Sequence, residues 1–278
     1  MGKSKSVVSR QIGALECELG VRLLQRTTRS ITLTEAGRGF LDRANTILSE
    51  IEDAILSASR LQAEPRGCLR INAPMSFGFL HLAPALPDFL ARHPDIQVDL
   101  VMNDRIVDIV DEGFDLAFRI GRLTESSLVA RRLAPIRMAV CASPAYLAQY
   151  GAPETPEDLS QHSCLYYSAL NVTGEWRFIR PDGSPWPVPV QGPLRANNGD
   201  ALRAAVLKGA GLSILPTFIV GCDLQSGTLV SVLNEFVPQD LALYAVYPHS
   251  RLLTPKVRAI IDFMVERFGP RPYWDLVE

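Results

Sequence analysis

The chain has 278 residues, 47% of them apolar, and a formal net charge of -2 at pH 7. This length favours two folded domains, and the small net charge does not identify a partner. The five cysteines include no C-x-x-C pair, which argues against a disulfide framework and a zinc site. No apolar run approaches the about 18 residues of a membrane span, and a signal-peptide core is absent. We therefore expect a cytoplasmic protein without a membrane segment.

The first predicted element is a helix within "MGKSKSVVSRQIGALECELG", which Gly20 ends. Its apolar side chains recur at steps of four, three and four residues: Val8, Ile12, Leu15 and Leu19. Its opposite face carries hydroxyl groups and cations but no carboxylate: Lys5, Ser6, Ser9 and Arg10. Such a face suits phosphates and base edges, although a lone run of this kind is more often a solvated helix face.

A small basic hairpin is predicted next, in "VRLLQRTTRSITLTEAG". Two short apolar runs flank "RTTRS", which places Arg26 and Arg29 at the tip. Residues 1–33 contain six Lys and Arg residues and only two Glu residues, so a basic patch exists at this end of the chain. A helix followed by a small basic hairpin is the layout of a winged DNA-binding domain.

A long helix follows, with Thr34 as its N-cap and Glu35 in its first turn. Its apolar residues alternate at steps of four and three over three heptads: Phe40, Ala44, Ile47, Ile51, Ala54, Ala58 and Leu61. A seam of this length favours pairing with a second chain, so we predict a dimerisation helix. The segment "AEPRG" at residues 63–67 ends the helix and predicts a linker.

The segment "SVVSRQIGALECELGVRLLQRTTRSITLTEAG" resembles the winged helix-turn-helix of the LysR-type transcriptional regulators. The stretches "VDEGFDLAFRIG", "SSLVARRLAP" and "GAGLSILP" resemble that family's effector domain. The resemblance covers nearly the whole chain. It implies a DNA-binding transcriptional regulator that responds to a small molecule bound between two lobes.

In that family the first helix of this sequence corresponds to the third, recognition helix, and the two helices that precede it are missing here. One hypothesis is a misassigned start, which the mass of the native protein would test. The other is a shortened regulator, which would act as an effector sensor or dominant-negative partner with weak or no specific DNA binding. The unbroken pattern of helix, wing and cap favours the first hypothesis.

The resemblance places Lys5, Ser6, Ser9 and Arg10 in or beside the major groove of double-stranded operator DNA, with Arg29 on the wing. Arg10 is the best candidate for a bidentate contact with a base or a phosphate. Because dimers set two recognition helices whole DNA turns apart, we expect an interrupted palindrome as the operator. The family implies homodimers or homotetramers, whereas the heptad seam itself argues only for pairing.

The remaining residues alternate between strand-like and helix-like runs. "CLRINA", "IQVDLVMN" and "FDLAFRIG" predict strands, and "FLHLAPALPDFLARHP" and "DRIVDIVDEG" predict the helices between them. This βαβαβ order predicts a mostly parallel sheet covered by helices. The predicted fold class is thus an α/β effector domain of two lobes, similar to type 2 periplasmic binding proteins, after a truncated winged helix-turn-helix and a linker helix.

The predicted boundaries follow from the breaks in these patterns and from the family. Residues 1–33 form the partial DNA-binding domain, 34–62 the dimerisation helix and 66–278 the effector domain. In the effector domain the family implies that lobe I holds about 66–141 and 248–278, and lobe II about 142–247. The chain would therefore cross between the lobes near Ala142 and Tyr247.

Ligands of open α/β sheets bind at the carboxyl ends of strands and near helix N-termini. This rule selects Pro74, Met75, Ser76, Phe77, Asn103, Arg119, Ile120, Gly121, Asn197, Asn198, Gly199, Asp200, Thr217 and Phe218. Hydroxyl, amide and backbone N–H groups around Arg119 favour a small organic anion, with Phe77 and Phe218 as apolar surface. Each residue also has a structural explanation: Ser76 and Asp200 as helix caps, Asn198 as a turn residue, and Arg119 as the partner of Asp115.

Other functions find less support in the sequence. The four histidines are far apart, and no nucleophile elbow, phosphate loop or dinucleotide motif is present, so we expect no enzyme, no metal and no cofactor. A solute-binding protein would require export and would not carry the basic wing and the heptad helix. Cys141 and Cys164 raise a redox-sensing alternative, but their surroundings favour a buried structural role.

Overall fold

The structure is a computed structural model. It describes residues 5–26, 31–34, 36–37, 39–41, 43–44, 64–105, 107–122, 128–168, 174–248 and 253–275. The chain forms two compact units, Met1–Ala63 and Glu64–Glu278, and each is described by itself.

In the first unit, helix α1 spans Lys5–Leu19 and ends at Gly20, whose φ of 67° lies in the left-handed region that glycine adopts without strain. Strands β1 (Leu24–Arg26) and β2 (Ile31–Leu33) then pair antiparallel. The predicted helix and hairpin are therefore confirmed. The tip of the hairpin, with Arg29, lies outside the described residues.

Two side chains hold the first unit together by accepting backbone hydrogen bonds. The Glu16 carboxylate accepts from the amides of Leu23 and Leu24 at 2.8 and 2.9 Å, which ties α1 to the hairpin. The Thr34 hydroxyl oxygen accepts from the Gly37 amide at 2.9 Å, as an N-cap does. The described residues of 36–44 are helical, so the cap and the start of the predicted long helix are confirmed.

Only the start of the predicted heptad seam is described. Phe40 is exposed and Ala44 is half-buried in the single chain. Ile47, Ile51, Ala54, Ala58 and Leu61 lie outside the described residues, and pairing through this seam stays a prediction.

The second unit is an α/β structure. Within its described residues the strands are β3 Gly67–Ala73, β4 Ile96–Met102, β5 Leu116–Gly121, β6 Leu128–Ile136, β7 Met138–Ala142, β8 Tyr166–Tyr167, β9 Glu175–Ile179, β10 Pro185–Pro189, β11 Arg195–Ala196, β12 Ser213–Pro216, β13 Val230–Val232 and β14 Leu241–Pro248. The α-helices there are α2 Met75–Phe77, α3 Leu86–Arg92, α4 Pro144–Tyr150, α5 Gly199–Leu207, α6 Thr217–Ser226 and α7 Pro255–Phe268.

The larger sheet has the strand order β4-β3-β5-β14-β6. Strand β3 pairs in parallel with both β4 and β5, as predicted, but β14 pairs antiparallel with β5 and β6, so the sheet is mixed and not mostly parallel as predicted. The carboxyl ends of β3, β4 and β5 therefore meet at one edge of this sheet, where a ligand of an open α/β sheet is expected.

The predicted helix in "DRIVDIVDEG" is wrong, because the described residues from 103 to 113 form turns. The Asp108 carboxylate accepts hydrogen bonds from the amides of Val110 and Asp111 at 2.9 and 3.0 Å, a local arrangement that competes with helix formation. Val107 and Ile109 both bury their side chains, and this spacing of two residues does not fit one helix face.

The run "FLHLAPALPDFLARHP" is helical as predicted, but its helix type changes along the way. From α2 the chain passes through a π-helix (Gly78–Leu82) and a 3-10 turn (Ala83–Ala85) into α3. Pro84 and Pro87 fall in the first turns of the last two segments, where a missing N–H is tolerated.

The second lobe is built on the three-stranded sheet β12-β7-β13, with the β9-β10 hairpin and the short β8-β11 pair beside it. Its first helix, α4, begins as predicted: the Ser143 hydroxyl caps it by accepting from the Tyr146 amide at 3.3 Å, and Pro144 follows. Trp176, Phe178 and other buried residues form a core of this lobe.

Both crossings between the lobes lie at positions other than those predicted, as the sheet to which each strand belongs shows. Strand β6 belongs to the larger sheet, while β7 belongs to the sheet of the second lobe, so the first crossing lies at Arg137 and not at Ala142. Strand β14 lies wholly in the larger sheet, so the return crossing precedes Leu241 and does not lie at Tyr247. In "LVARRLAPIRMAVCA" the turn-forming residue nearest the break is Pro135, which lies within β6, so the sequence does not reveal the first crossing.

An ion pair joins helices α5 and α6 of the second lobe. The Arg203 guanidinium on α5 makes two hydrogen bonds to the Asp223 carboxylate on α6, and the Asp223 side chain is only 9% exposed. The side-chain hydrogen bond raises the pKa of Arg203 above its ordinary value. This ion pair fixes α5 against α6.

We expect Asp223→Ala to lower the free energy of unfolding by about 2 kcal/mol, because it removes two charge-assisted hydrogen bonds. The matched control is Asp88→Ala, since Asp88 pairs with Arg267 at the exposed surface and should contribute less than about 1 kcal/mol. Urea titrations of both variants measure the difference. Equal losses in the two variants would contradict this role of Asp223.

Candidate functional site

The edge formed by β3, β4 and β5 faces the second lobe, and side-chain hydrogen bonds join the two lobes here. The Asn198 amide, before α5 of the second lobe, donates to the Ser76 hydroxyl of the first lobe at 3.3 Å. The side-chain oxygen of Asn198 also accepts from the Ala201 amide at 3.1 Å, so this residue both caps α5 and bridges the lobes. Two residues selected from the sequence, Ser76 and Asn198, are thus brought together.

A carboxylate that the sequence analysis missed also lies at this edge. Asp104 accepts the backbone N–H of Met75, the first residue of α2, at 2.9 Å. From the second lobe, the Tyr167 hydroxyl hydrogen-bonds the same carboxylate. Burial, the charge of Asp104 and this hydrogen bond raise the pKa of Tyr167 far above its ordinary value. Asp104 therefore accepts the first N–H of α2 and adds a negative charge at this edge of the sheet. Its place directly after Asn103, beyond the end of β4, was the available sequence signal.

Asn103 presents an acceptor without a partner. Its backbone amide donates to the Ala73 carbonyl at 3.0 Å, which holds it beside the end of β3. Its side-chain oxygen is buried and has no hydrogen-bond partner among the described residues. Since a buried carbonyl without a partner is costly, this atom is a candidate contact for a donor group of a ligand.

Arg119 directs two guanidinium N–H groups to acceptors of the protein. Its guanidinium donates to the Asn72 side-chain oxygen at 2.6 Å and to the Val107 carbonyl at 3.5 Å. Burial lowers the pKa of Arg119 below its ordinary value. The alternative pairing with Asp115 is wrong, because Asp115 binds Lys256 at 2.7 Å.

The two aromatic residues assigned to the ligand are parts of the core. Phe77 is fully buried, and its ring meets that of Phe218 edge-on with the centroids 5.4 Å apart. Phe218 is also buried. Neither ring offers a free apolar surface in this structure. The alternation of strand and helix in the sequence locates the start of α2 but does not reveal the direction of each side chain.

The other selected residues lie near the cleft with differing surroundings. Gly121 is half-buried at the end of β5, and Asp200 is half-buried in the first turn of α5. The Thr217 hydroxyl donates to the Asp275 carboxylate at 2.5 Å and is thus committed to protein contacts. Gly121 and Asp200 remain candidates for contacts with the effector, while Thr217 belongs to the joint between the lobes.

A small cavity lies elsewhere in the second unit. Its volume is about 20 Å³, which suits about one water molecule. Its lining comes from β14 and the start of α7, with neighbouring residues: Phe114, Asp115, Tyr247, Pro248, Leu253, Thr254 and Val257. None of the predicted effector residues lines it, so it does not provide a second candidate for the effector.

The candidate nucleic-acid surface lies in the first unit. Lys5, Ser6 and Ser9 belong to α1, but their side chains lie outside the described part of the structure, as does Arg29. Arg10 is described and exposed. On the opposite face, Ile12 and Leu15 are half-buried, whereas Leu19 is exposed.

The two cysteines considered for redox sensing are buried. Burial raises the pKa of Cys141 to about 12, and that of Cys164 to about 12 as well. Because the thiolate is the reactive form, neither thiol is poised for oxidation at neutral pH. Their predicted buried structural role is confirmed.

The described residues contain no cluster of three or more His, Cys, Asp or Glu side chains arranged to hold a metal ion. In this part of the chain, no helix has the length and apolar content to cross a membrane.

Two family models match the chain. Residues 1–38 match the bacterial regulatory helix-turn-helix protein of the lysR family, and residues 62–269 match the LysR substrate binding domain. The protein belongs to the LysR family of transcriptional regulators. The regulator PtxR of Pseudomonas aeruginosa is 36% identical over 273 residues, which are 98% of this chain and 87% of PtxR.

Solved structures of LysR-type regulators are also similar. CrgA of Neisseria meningitidis matches 96% of this chain and 90% of its own at 34% identity, with a TM-score of 0.69. AphB of Vibrio cholerae matches 95% of this chain and 90% of its own at 29% identity, with a TM-score of 0.65. This LysR-family protein is therefore an effector-responsive transcriptional regulator with a two-lobed α/β effector domain.

Proposed function

We propose that this LysR-family regulator binds operator DNA through α1 and the wing, with Lys5, Ser6, Ser9, Arg10 and Arg29 as the contacts. The basic composition of residues 1–33 and the exposed side chain of Arg10 support this assignment. A homodimer or homotetramer assembled through the heptad helix would present paired α1 helices to the two halves of the operator. Because its DNA is cytoplasmic, the protein would act there.

The effector, in this proposal, is a small neutral or cationic molecule with N–H or O–H donors. The observation that carries this assignment is Asp104, whose carboxylate already binds the Met75 amide where an anion would bind. The side-chain oxygen of Asn103, which lacks a partner, adds a second acceptor. Ser76 and Asn198 supply groups that can both donate and accept. This proposed ligand class differs from the small organic anion expected from the sequence.

Binding of such a molecule would replace the Ser76–Asn198 hydrogen bond with contacts to both lobes. Only a difference in affinity between two arrangements of the lobes can shift the regulator from one to the other. The shift would change the spacing of the paired α1 helices on DNA. The signal would thereby pass from the cleft to the operator.

The test combines DNA binding with a ligand screen on the full chain. We expect specific binding to the DNA upstream of its own gene, measured by fluorescence anisotropy against a scrambled duplex of equal length. In a thermal-shift screen of matched amines, amides, alcohols and carboxylates, compounds with hydrogen-bond donors should raise the melting temperature. The Asp104→Asn variant should reduce this rise most for the amines. Stabilisation by carboxylates alone would contradict the proposed ligand class.

A further inference from the structure

Residues 269–275 follow α7 and pass over the joint between the two lobes, and we name this segment the clasp. We propose that the clasp fixes the angle between the lobes, so that weakening it changes their relative orientation while each lobe keeps its fold. This role goes beyond DNA and effector binding and requires neither of them. It rests on three consecutive residues of the 3-10 turn Tyr273–Asp275, each of which contacts a different part of the joint.

Tyr273 completes a hydrogen-bonded chain through a buried histidine. His81, on the π-helix of the first lobe, has its Nδ1 2.6 Å from the Tyr273 hydroxyl and its Nε2 2.9 Å from the Phe218 carbonyl of the second lobe. A carbonyl only accepts, so Nε2 carries the hydrogen and Nδ1 accepts from Tyr273. Burial lowers the pKa of His81, which agrees with a neutral imidazole in this position.

Trp274 fills the space between the lobes. Its ring is buried against those of His81 and Phe268 in the first lobe, with centroids 4.6 and 5.2 Å away, and lies 6.5 Å from that of Phe218 in the second. Its carbonyl oxygen lies so close to Gly221 on α6 that a Cβ at that position would be 2.5 Å from it. The backbone of the clasp therefore rests directly on a helix of the second lobe.

Asp275 joins the clasp to the first crossing. Its carboxylate accepts from the Thr217 hydroxyl at the start of α6, and lies 3.7 Å from the Arg137 guanidinium. Thr217 also donates its backbone N–H to the Arg137 carbonyl at 2.9 Å. The Asp275 side chain is only 7% exposed, and its negative charge lies at the N-terminal end of a ten-residue helix, where it is favourable.

These contacts span the joint because the clasp is covalently continuous with the first lobe and packs on the second. Buried residues of both lobes, including Phe77 and Phe218 together with Trp274, belong to one apolar cluster. Two backbone crossings alone would allow hinge motion between the lobes. Rotation of α6 against the first lobe must break the contacts of the clasp, which therefore selects one angle.

The experiment measures the distance between the lobes directly, without a ligand. Spin labels are attached to cysteines that replace two exposed residues, Gln97 on β4 and Glu157 in the second lobe. In this full chain, the native exposed cysteines are replaced by serine. Those cysteines are Cys17, Cys68 and Cys222. We expect Tyr273→Phe or Asp275→Asn to shift or broaden the distance distribution by roughly 3 Å, the displacement given by a lobe rotation of about 10°.

Matched controls make the same chemical changes away from the joint. Tyr150→Phe alters an exposed tyrosine on α4, and Asp88→Asn alters an exposed carboxylate on α3. The distances in both controls should equal those of the parent chain. An unchanged distribution in both clasp variants, even with a lower melting temperature, would overturn the proposal, since the clasp would then contribute only stability. Equal shifts in controls and clasp variants would also overturn it.

Discussion

Replacing Phe77 with alanine is expected to lower the free energy of unfolding of the second unit by about 3–5 kcal/mol, the usual cost of removing a fully buried phenylalanine. The Phe77 ring lies between the lobes, with the Phe218 and Phe268 centroids 5.4 and 5.5 Å away. Its removal leaves a cavity that both lobes border. We expect a cooperative loss of stability and not a selective loss of ligand binding.

Phe79 provides the matched control, because it lies two residues further along the same helical run and is 65% exposed. Phe79→Ala should cost less than about 1 kcal/mol. All three tryptophans belong to the second unit, so tryptophan fluorescence in urea follows that unit alone. If Phe77→Ala unfolded at the same urea concentration as Phe79→Ala, the assignment of Phe77 to the core would be wrong.

Elements with a regular apolar period were predictable from the sequence. The period of α1 and the left-handed Gly20 define that helix, and alternating apolar residues define β3 and β4. Local caps were equally readable: Thr34 and Ser143 both accept the backbone hydrogen bonds expected of them. These features depend on residues a few positions apart, which a single sequence reveals.

Contacts between distant residues were not predictable in the same way. Ser76 and Asn198 are 122 positions apart, and although both were selected, nothing in the sequence indicated that they bind each other. Arg119 was placed correctly near the end of β5, but its hydrogen bond to the Asn72 side chain was not foreseen. Strand order fixes where a backbone ends, whereas packing decides which way a long side chain points.

Asp104 shows how one such contact changes the chemistry of a site. From the sequence it was the first residue of a predicted helix, and the structure gives it to a turn that binds the Met75 amide. This one carboxylate adds a negative charge at the edge of the sheet that the sequence analysis did not assign to the site. The family was readable from its motifs, whereas the proposed ligand class rests on contacts that the motifs do not reveal.

The second large effect is expected in the first unit, where Arg10→Ala should weaken operator binding about 10- to 100-fold. Arg10 is exposed on α1, so its replacement removes no buried contact and should leave the fold intact. A guanidinium can make two hydrogen bonds to a guanine or a phosphate, which alanine cannot replace. Fluorescence anisotropy on the operator duplex, over a range of salt concentrations, measures the loss.

Two further variants identify the kind of contact that Arg10 makes. Arg10→Lys keeps the charge but loses the bidentate geometry: affinity for all duplexes should recover if the contact is a phosphate, whereas discrimination between operator and scrambled DNA should stay low if it is a base. Arg195→Ala, at an exposed position in the second unit, controls for the change in net charge. Since α1 is assigned to the groove by its basic, hydroxyl-rich face, equal affinities of Arg10→Ala and Arg195→Ala would remove that assignment.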